Sequence, residues 1–470
     1  MPTTHHHPRE YSKVPSGRFF HRSAAYRAAL SLLASFALLG GAVLIQDVDR
    51  ASAATTWYVD DATCPSVGSG TIGDPFCSIQ VAIDAAANGD TINVAAGIYN
   101  EDLTIDEDVT IQGQSRDTTT IDGSGAGRVI RITAGYSVTI RHVTISGGNQ
   151  TGYVQGGGGL WNSGTLTLSN CIVSNNYAEP MGGGIYNDAD GTMVISRCMI
   201  KENTTYHAGW TGLGGGGVYN TGTLTVLDST VMNNHADDSP SRYERGGGVY
   251  HHDGTMTLER VMISSNSSTE YGGGVHINHD DLADSAVLIN VTISGNTSRV
   301  GGGIGLTGGS VGEVTINNAT IAGNTATYTT SGGGGLHAYA PVVIRNSIID
   351  NNSAQECGGD PPTYITSDGY NLAEDSTCGF TSTGDQQSTD ANLGSLQDNG
   401  GLTETMALGK GSPAIDAGNP ATPGSGGSSC TALDQREWSR PIDGDLNGSA
   451  RCDMGAYEAT INLFLPLIMR

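Results

Sequence analysis

The sequence predicts an all-β fold, a right-handed single-stranded parallel β-helix, and three observations carry that prediction. Glycine accounts for 69 of the 470 residues, about twice its usual ~7% share. Runs of glycine recur at intervals of about 25 to 33 residues. Each run precedes an alternating apolar strand that ends in asparagine, and these units lack a helical stretch long enough for a crossover helix. Short strands on a fixed period stack as the coils of a solenoid.

The repeat predicts which side chains share a column. The glycine runs begin at Gly156, Gly182, Gly214, Gly246, Gly272, Gly301 and Gly332, and the copies end at Asn176, Asn203, Asn234, Asn266, Asn296, Asn324 and Asn352. Because coils stack ~4.8 Å apart, the aliphatic residues should form core columns and the asparagines an internal ladder. Several of these asparagines also fit the N-x-S/T glycosylation pattern. The ladder is preferred because the period also explains Asn324 and Asn352, which have no such pattern.

One position beside the aliphatic residue that follows each glycine run is expected to point outward. It is occupied in turn by Trp161, Tyr186, Tyr219, Tyr250, His276, Gly305 and His337. Stacked, these residues would form an aromatic column along the axis. We prefer a structural column that shields the sheet, and a platform for a glycan is the alternative.

The N-terminal segment 1–53 reads as a signal peptide. Basic residues precede an apolar run from Ala28 to Ile45, and Ala51-Ser52-Ala53 is an A-x-A processing site. The mature chain would then begin at or near Ala54. The apolar run is also close to the length of a spanning helix, so an uncleaved membrane anchor is the alternative.

Looser coils and a cap are predicted before the regular repeat. Short apolar strands occur near Thr91, Val109, Val129 and Val138, and a helical stretch from Ser78 to Ala87 precedes them. The helix would cover the open N-terminal end of the solenoid, where an unpaired strand invites aggregation. The predicted β-helix spans residues 54–355.

The cysteines fit an exported chain. Eight cysteines form an even set, as in proteins from oxidising compartments. We predict three disulfides by local pairing, Cys64–Cys77, Cys357–Cys378 and Cys430–Cys452. Cys171 and Cys198 occupy equivalent inward places in consecutive coils, where parallel Cβ vectors ~4.8 Å apart lie beyond the usual disulfide separation. These two should be buried free thiols.

The net charge is −25. This charge disfavours nucleic acid as a partner, because the surface repels phosphate. A neutral or basic extracellular ligand or a divalent cation is compatible with it.

Two family resemblances support the fold. The segments Trp57-Tyr58-Val59-Asp60, Gly97-Ile98-Tyr99 and Ile111-Gln112-Gly113 resemble the start of pectin-lyase-like β-helix proteins. The units exemplified by Gly182 to Asn187 resemble the repeats of polymorphic outer-membrane proteins. Together the likeness covers roughly residues 57–355.

A third resemblance concerns residues 356–458. Gly411 to Gly418, Asp434-Gln435-Arg436 and Met454 to Glu458 resemble the choice-of-anchor Q domain that follows bacterial surface β-helices. The resemblance implies display on a cell surface. The remaining short apolar tail, 459–470, is too short to span a bilayer and has no LPxTG signal.

The candidate contact region is a pair of long insertions. Segments 204–213 and 235–245 are longer than the other connections at the same corner, so they should meet on neighbouring coils. The predicted ligand-binding residues are those suited to sugar stacking and hydroxyl recognition: Tyr206, His207, Trp210, His235, Asp237, Asp238, Tyr243, Glu244 and Arg245. Unselected surface loops are the alternative.

Metal sites are predicted in two places. Asp443, Asp445, Asn447 and, further on, Asp453 open like a calcium loop, although Met454 stands where such a loop has glutamate. A simple Asp/Gly turn is the alternative. Histidines and aspartates of segments 251–253 and 276–281 could instead bind a transition metal, but they lack a fixed ligand spacing.

The sequence favours a binding function over an enzymatic one. We find none of the Asn-Thr-Asp, Gly-His-Gly and Arg-Ile-Lys motifs of polygalacturonases and no Arg-x-Pro-x-x-Arg of pectate lyases. The predicted function is adhesion or binding of an extracellular polysaccharide or cell-envelope component by a secreted or surface protein. A polysaccharide lyase or glycoside hydrolase acting at the same corner is the alternative, and a purely structural spacer is a third.

Overall fold

The computed structural model describes residues 54–460 apart from 153–155, 207–212, 238–243, 280, 282 and 309–311. The predicted leader or anchor, 1–53, and nearly all of the predicted tail lie outside the described residues. Within the described part of the chain, no helix is long and apolar enough to cross a membrane.

Four parallel sheets run along the solenoid, and we number them in the order in which a complete coil passes through them. Sheet 1 is formed by Thr56–Val59, Asp90–Val94, Val109–Gly113, Ser137–Arg141, Thr165–Ser169, Thr192–Ser196, Thr223–Leu227, Thr255–Glu259, Ser285–Ile289, Glu313–Asn317, Val342–Arg345 and Ile365–Ser367. Sheet 2 is formed by Gly97–Asn100, Thr119–Asp122, Thr144–Ser146, Ile172–Ser174, Met199–Lys201, Thr230–Met232, Met262–Ser264, Thr292–Ser294, Thr320–Ala322, Ile348–Asp350, Leu372–Ala373 and Gln386–Gln387.

The other two sheets complete each coil. Sheet 3 is formed by Asn149–Gln150, Tyr177–Ala178, Thr204–Tyr206, His235–Asp237, Ser267–Ser268, Thr297–Ser298 and Thr325–Ala326. Sheet 4 is formed by Leu103–Ile105, Ile130–Ile132, Leu160–Asn162, Ile185–Asn187, Val218–Asn220, Val249–His251, Val275–Asn278, Ile304–Thr307, Leu336–Ala338 and Cys357–Gly359. A coil that has a strand in sheet 3 therefore passes through sheets 1, 2, 3 and 4 before the next coil begins, whereas the coils before Asn149–Gln150 pass from sheet 2 to sheet 4.

The interior of the solenoid confirms the predicted columns. Inward residues of the strands, such as Leu168, Ile195 and Val226, are fully buried and stack on one another. The asparagine ladder runs unbroken from Asn176 to Asn352, and each Nδ2 donates to the Oδ1 of the next coil at 2.9–3.0 Å. Each of these amides also donates to a backbone carbonyl of the preceding coil. The ladder thus satisfies backbone groups that the turn would otherwise bury unpaired.

The glycine runs are required by the close approach of neighbouring coils. Gly182 has a φ of 60°, in the left-handed region that favours glycine. A Cβ on Gly183 would lie 2.5 Å from the carbonyl oxygens of both Gly216 and Thr204. A side chain at that place would therefore force the coils apart.

The predicted N-terminal helix is present over Ile79–Ala85. Ile79, Ala82 and Ile83 are buried against the first coils, so the helix lies where a cap was expected. The Glu101 carboxylate accepts hydrogen bonds from the backbone N–H groups of Ile79 and Gln80 at 2.8 and 2.9 Å. A 3₁₀ turn, Asp61–Thr63, precedes the helix.

The coil continues beyond the boundary expected at residue 355. Strands Cys357–Gly359, Ile365–Ser367 and Leu372–Ala373 still pair in parallel with the preceding coil, and a short helix, Pro361–Tyr364, joins the first two. The glycine run is missing from this coil, which is why the sequence pattern appears to stop. A hairpin of Leu393–Gln397 and Thr405–Leu408 follows.

The C-terminal segment then folds back along the outside of sheet 2. Thr292 Oγ1 donates to Gln435 Oε1 at 2.7 Å, and the backbone N–H of Ala456 donates to Thr320 Oγ1 at 3.0 Å. Outward residues of sheet 2 such as Met262 and Ile348 are consequently buried. The described residues from 54 onward belong to one compact unit.

The predicted cysteine chemistry is confirmed. Disulfides join Cys64 to Cys77, Cys357 to Cys378 and Cys430 to Cys452. Cys171 and Cys198 are free and buried in the core, where the backbone N–H of Cys171 contacts the sulfur of Cys198 at 3.3 Å.

Candidate functional site

The outer face of sheet 3 gathers polar and aromatic side chains along the axis. Tyr206 lies in register with Asp237, and Thr204 lies in register with His235. His235 pairs in turn with Ser267 of the following coil. The described beginnings of the two long insertions therefore run side by side, as neighbouring strands. Predicted ligand residues His207, Trp210, Asp238 and Tyr243 lie outside the described residues.

Hydrogen bonds fix the side chains of this face and leave them partly exposed to solvent. Tyr177 donates its phenol to Glu179 Oε1 at 2.9 Å, and burial together with this carboxylate raises the pKa of Tyr177. His235 Nδ1 lies 2.5 Å from Ser267 Oγ, and its Nε2 lies 3.7 Å from Asp237 Oδ2. The side chains of His235 and Asp237 are still 43% and 38% exposed. They can thus contact a ligand in solution.

The same face continues past the insertions toward the C-terminal coils. Arg299 donates to Glu270 Oε1 at 2.6 Å, and its guanidinium lies 5.1 Å from the centre of the Tyr328 ring. Ser268, Thr297 and Ser298 line a shallow groove beside this arginine. The face therefore combines hydroxyl groups, rings, carboxylates and a cation in one line parallel to the axis.

Glu244 and Arg245 lie apart from that line. Glu244 is fully buried, so it is not placed as a solvent-facing ligand. The Arg245 guanidinium lies 5.6 Å from the Tyr271 ring centre and donates from Nη1 to the Tyr250 phenol at 3.4 Å. Arg245 therefore belongs to the aromatic surface of sheet 4. Among the described members of the predicted set, Tyr206, His235 and Asp237 stay together.

The aromatic column of sheet 4 forms as predicted. Adjacent ring centres from Trp161 to Tyr186, Tyr219, Tyr250 and His276 are 6.2, 5.5, 5.0 and 4.9 Å apart. Trp161 and Tyr186 are half-buried, whereas the next three rings are covered. This burial favours the structural column over a glycan platform for most of its length.

His251, at the start of the predicted transition-metal region, serves the solenoid. A second ladder of Asn162, Asn187 and Asn220 ends at His251, whose Nδ1 lies 3.0 Å from Asn220 Nδ2. Its Nε2 lies 3.1 Å from the Ser285 carbonyl oxygen. Burial lowers the pKa of His251 to about 3, so the ring is neutral, and both nitrogens are already used. Within the described chain, the only grouping suited to a metal is acidic and lies elsewhere.

Comparison with known proteins defines the architecture. The family model "Right handed beta helix region" matches residues 93–263. A solved structure of the pectate lyase Pel9A aligns over 87% of this chain and 97% of its own, with 13% identity and a TM-score of 0.52. The chain is a right-handed parallel β-helix. The structure of XylC with xylose gives a TM-score of 0.52 at 10% identity, over 86% of this chain and 98% of its own.

At these identities the likeness concerns the fold of the β-helix alone. A search of curated proteins gives no match. The resemblance of the C-terminal segment to a choice-of-anchor Q domain stays a prediction. Several of its motif residues are buried: Arg436 pairs with Asp434 at 2.6 Å, and Glu458 pairs with Arg440 at 2.7 Å.

The predicted calcium loop lies on the C-terminal segment of the β-helix. Asp443 and Asp445 come together with Asp416, and one carboxylate oxygen from each lies within 4.8 Å of the others. Asn447 is turned toward Asp445, since its Nδ2 donates to Asp445 Oδ2 at 2.8 Å. Asp453 is buried elsewhere, and its Oδ1 accepts from the Asp416 backbone N–H at 2.7 Å. Oxygen ligands of this kind suit calcium.

Three residues of the candidate sites were missed in the sequence. Glu179 and Arg299 lie on the outer face of sheet 3 but outside the long insertions that drew attention to this corner. The register of the sheet 3 repeat would have found both, because each follows a strand at the place of Tyr206. Asp416 approaches the calcium loop only through tertiary folding, so no local pattern marks it.

Proposed function

We propose that this β-helix is an exported protein that binds an extracellular polysaccharide or cell-envelope glycan along the outer face of sheet 3. The observation that carries the proposal is the register of Tyr206 with Asp237 beside the half-exposed His235, directly at the roots of two long insertions. The three disulfides are compatible with an oxidising, extracellular compartment.

The chemistry of the face suits a sugar chain. A tyrosine ring can stack on a sugar ring, while histidine, carboxylate and hydroxyl groups can bond to sugar hydroxyls. The line of side chains runs parallel to the axis over several coils, which matches an extended polymer better than a small molecule. The chain's net charge of −25 favours a neutral or basic glycan.

The test measures retardation of the mature protein in gels that contain a candidate polysaccharide. Tyr206→Ala and Trp210→Ala should each weaken retention by ~1–3 kcal/mol if the rings stack on sugars. Tyr339→Ala is the matched control, because Tyr339 is an exposed tyrosine that follows a strand of sheet 4. Equal retention of the Tyr206 and Tyr339 variants on every glycan that retards the parent would remove this face from consideration.

A hydrolytic function at the same face is the alternative, and one observation favours it. Glu179 and Asp237 occupy equivalent places two coils apart, on either side of Tyr206, so their backbones are separated by ~9.6 Å. That spacing is close to the ~6.5–9.5 Å between carboxyl groups of inverting glycosidases. An enzyme should release reducing ends that disappear in Glu179→Gln, with Glu202→Gln, exposed at another turn, as control. Retention without any released ends would favour binding alone.

A further inference from the structure

Sheet 1 carries an uncharged array in two of the three outward columns of six consecutive strands. The third outward column is mixed and contains Arg141, Ser169, Ser196, Leu227, Glu259 and Ile289. The first outward position of six consecutive strands is always serine or threonine: Ser137, Thr165, Thr192, Thr223, Thr255 and Ser285. The second outward position is always threonine or valine: Thr139, Thr167, Val194, Thr225, Thr257 and Val287. The twelve side chains include no charge and no ring, although the chain carries a net charge of −25.

The hydroxyl groups of this array have no partner among the described residues. Within the residues that the structure describes, none of its ten hydroxyls makes a hydrogen bond to another protein group. Four threonines of the first column, Thr165, Thr192, Thr223 and Thr255, are exposed. Each threonine therefore presents to solvent one hydroxyl and one methyl group at a fixed, repeating position.

β-Propensity alone does not account for the array. Threonine and valine are common in strands, so they are expected at some outward places. The same coils carry Ile172, Met199 and Lys201 on the outer face of sheet 2, and Tyr206 and Asp237 on that of sheet 3. The two adjacent columns of hydroxyl and methyl groups are thus particular to sheet 1.

The spacing of the array is close to that of ordered water. Neighbouring strands lie ~4.8 Å apart, and alternate residues of one strand lie ~6.7 Å apart. Waters that hydrogen-bond at ~2.75 Å with tetrahedral angles place second neighbours ~4.5 Å apart and repeat across puckered layers every ~7.3 Å. The mismatch is ~0.3 Å along the axis and ~0.6 Å across it.

We propose that this face of sheet 1 binds the surface of ice. Ice is an uncharged lattice, and the two columns of the array are uncharged although the protein is strongly acidic, so no charge in these columns opposes contact with ice. The hydroxyls would take the places of lattice waters, and the methyl groups would restrict the orientation of the waters between them. A glycan would call for rings to stack on, and the array has none.

The test compares the full chain with a variant that carries Thr167→Lys, Thr225→Lys and Thr257→Lys. The parent should be enriched in a slowly grown ice hemisphere and should produce thermal hysteresis. The variant should lose at least tenfold of both, because three ammonium groups protrude from the array. The control variant carries Thr104→Lys, Thr151→Lys and Thr327→Lys at exposed threonines outside sheet 1 and should behave as the parent. Far-UV circular dichroism checks that both variants fold.

A single Thr225→Lys at the centre of the array decides the matter if the triple variant does not fold. Exclusion of the parent from ice, or equal uptake of parent and array variants, would overturn the proposal. A parent that ignores ice but binds crystalline cellulose, with binding lost in the array variant, would overturn it in favour of a glycan surface. Retention of glycans at sheet 3 is measured separately, so the two proposals fail independently.

Discussion

Replacing one internal asparagine should cost far more than replacing its neighbour in the sequence. Asn233 and Asn234 are adjacent, but only Asn234 belongs to the ladder. The Asn234 amide donates to the Ile200 carbonyl at 2.9 Å and to Asn266 Oδ1 at 3.0 Å. Its Oδ1 accepts from the backbone N–H and the Nδ2 of Asn203 at 3.1 and 3.0 Å. Asn234 is 1% exposed, so water cannot replace these bonds.

The magnitude follows from those four bonds. At a net ~0.5–1.5 kcal/mol each, Asn234→Ala should lower the free energy of unfolding by about 4 kcal/mol. The loss could reach the upper end of ~1.5 kcal/mol for each bond, because the partner groups on Ile200, Asn203 and Asn266 would stay buried without a hydrogen bond to residue 234. Asn233 is exposed and has a φ of 55°, a conformation that glycine adopts easily. Asn233→Gly should therefore change the free energy of unfolding by no more than about 1 kcal/mol.

Urea unfolding followed by far-UV circular dichroism measures both variants against the parent. A solenoid can unfold in parts, so midpoints are compared at one pH and one protein concentration. The expected order is parent, then Asn233→Gly close behind, then Asn234→Ala well below. A midpoint for Asn234→Ala equal to that of Asn233→Gly would refute the claim that the ladder stabilises the coils.

Three further predictions test other parts of the molecule. Burial raises the pKa of Glu356 from 4.5 to about 8. Between these two pH values the folded state holds a proton that the unfolded state has released, so the free energy of unfolding should fall as the pH rises through that window. Glu356→Gln should flatten this pH dependence in thermal melts of the full chain, and an unchanged slope would contradict the assignment. If Asp416, Asp443 and Asp445 hold calcium, EGTA should lower the thermal midpoint of the parent but not of Asp416→Asn, whereas an unchanged parent midpoint would leave only a turn. Thiol titration of the denatured, unreduced protein should find two reactive groups, Cys171 and Cys198, and finding none would show that the core bends to close a fourth bridge.

Most of the solenoid was predictable because stacking turns a period in the sequence into a column in space. The asparagines from Asn176 to Asn352 and the core aliphatic residues needed nothing more than that rule. The second ladder was missed, although Asn162, Asn187 and Asn220 share one place in the repeat. It extends over only three coils before His251 replaces asparagine, so its period is short and its last member differs in type.

The candidate sites were less predictable, because they depend on the burial and the tertiary contacts of residues outside the regular repeat. Glu244 lies in a long insertion and is polar, yet it is fully buried. Asp416 reaches Asp443 through the folding of the C-terminal segment, which no spacing in the sequence encodes. The last coil was also missed, since Cys357–Gly359 pairs with Leu336–Ala338 without the glycine run that identifies earlier coils.

The C-terminal segment covers part of the outer surface of the β-helix and so limits where a ligand can bind. Arg440 donates to Glu458 and to the carbonyls of Asp453 and Gly455, and all these groups are buried. Removing one member of such a buried pair typically costs ~3–5 kcal/mol, so the segment should be held firmly against the solenoid. Its contacts with Thr292 and Thr320 cover the outer face of sheet 2 over the C-terminal coils. Much of sheet 4 is likewise covered by its own aromatic column. The described outer faces that this segment leaves at least partly uncovered include those of sheets 1 and 3, and these are the two faces on which we propose that ligands bind.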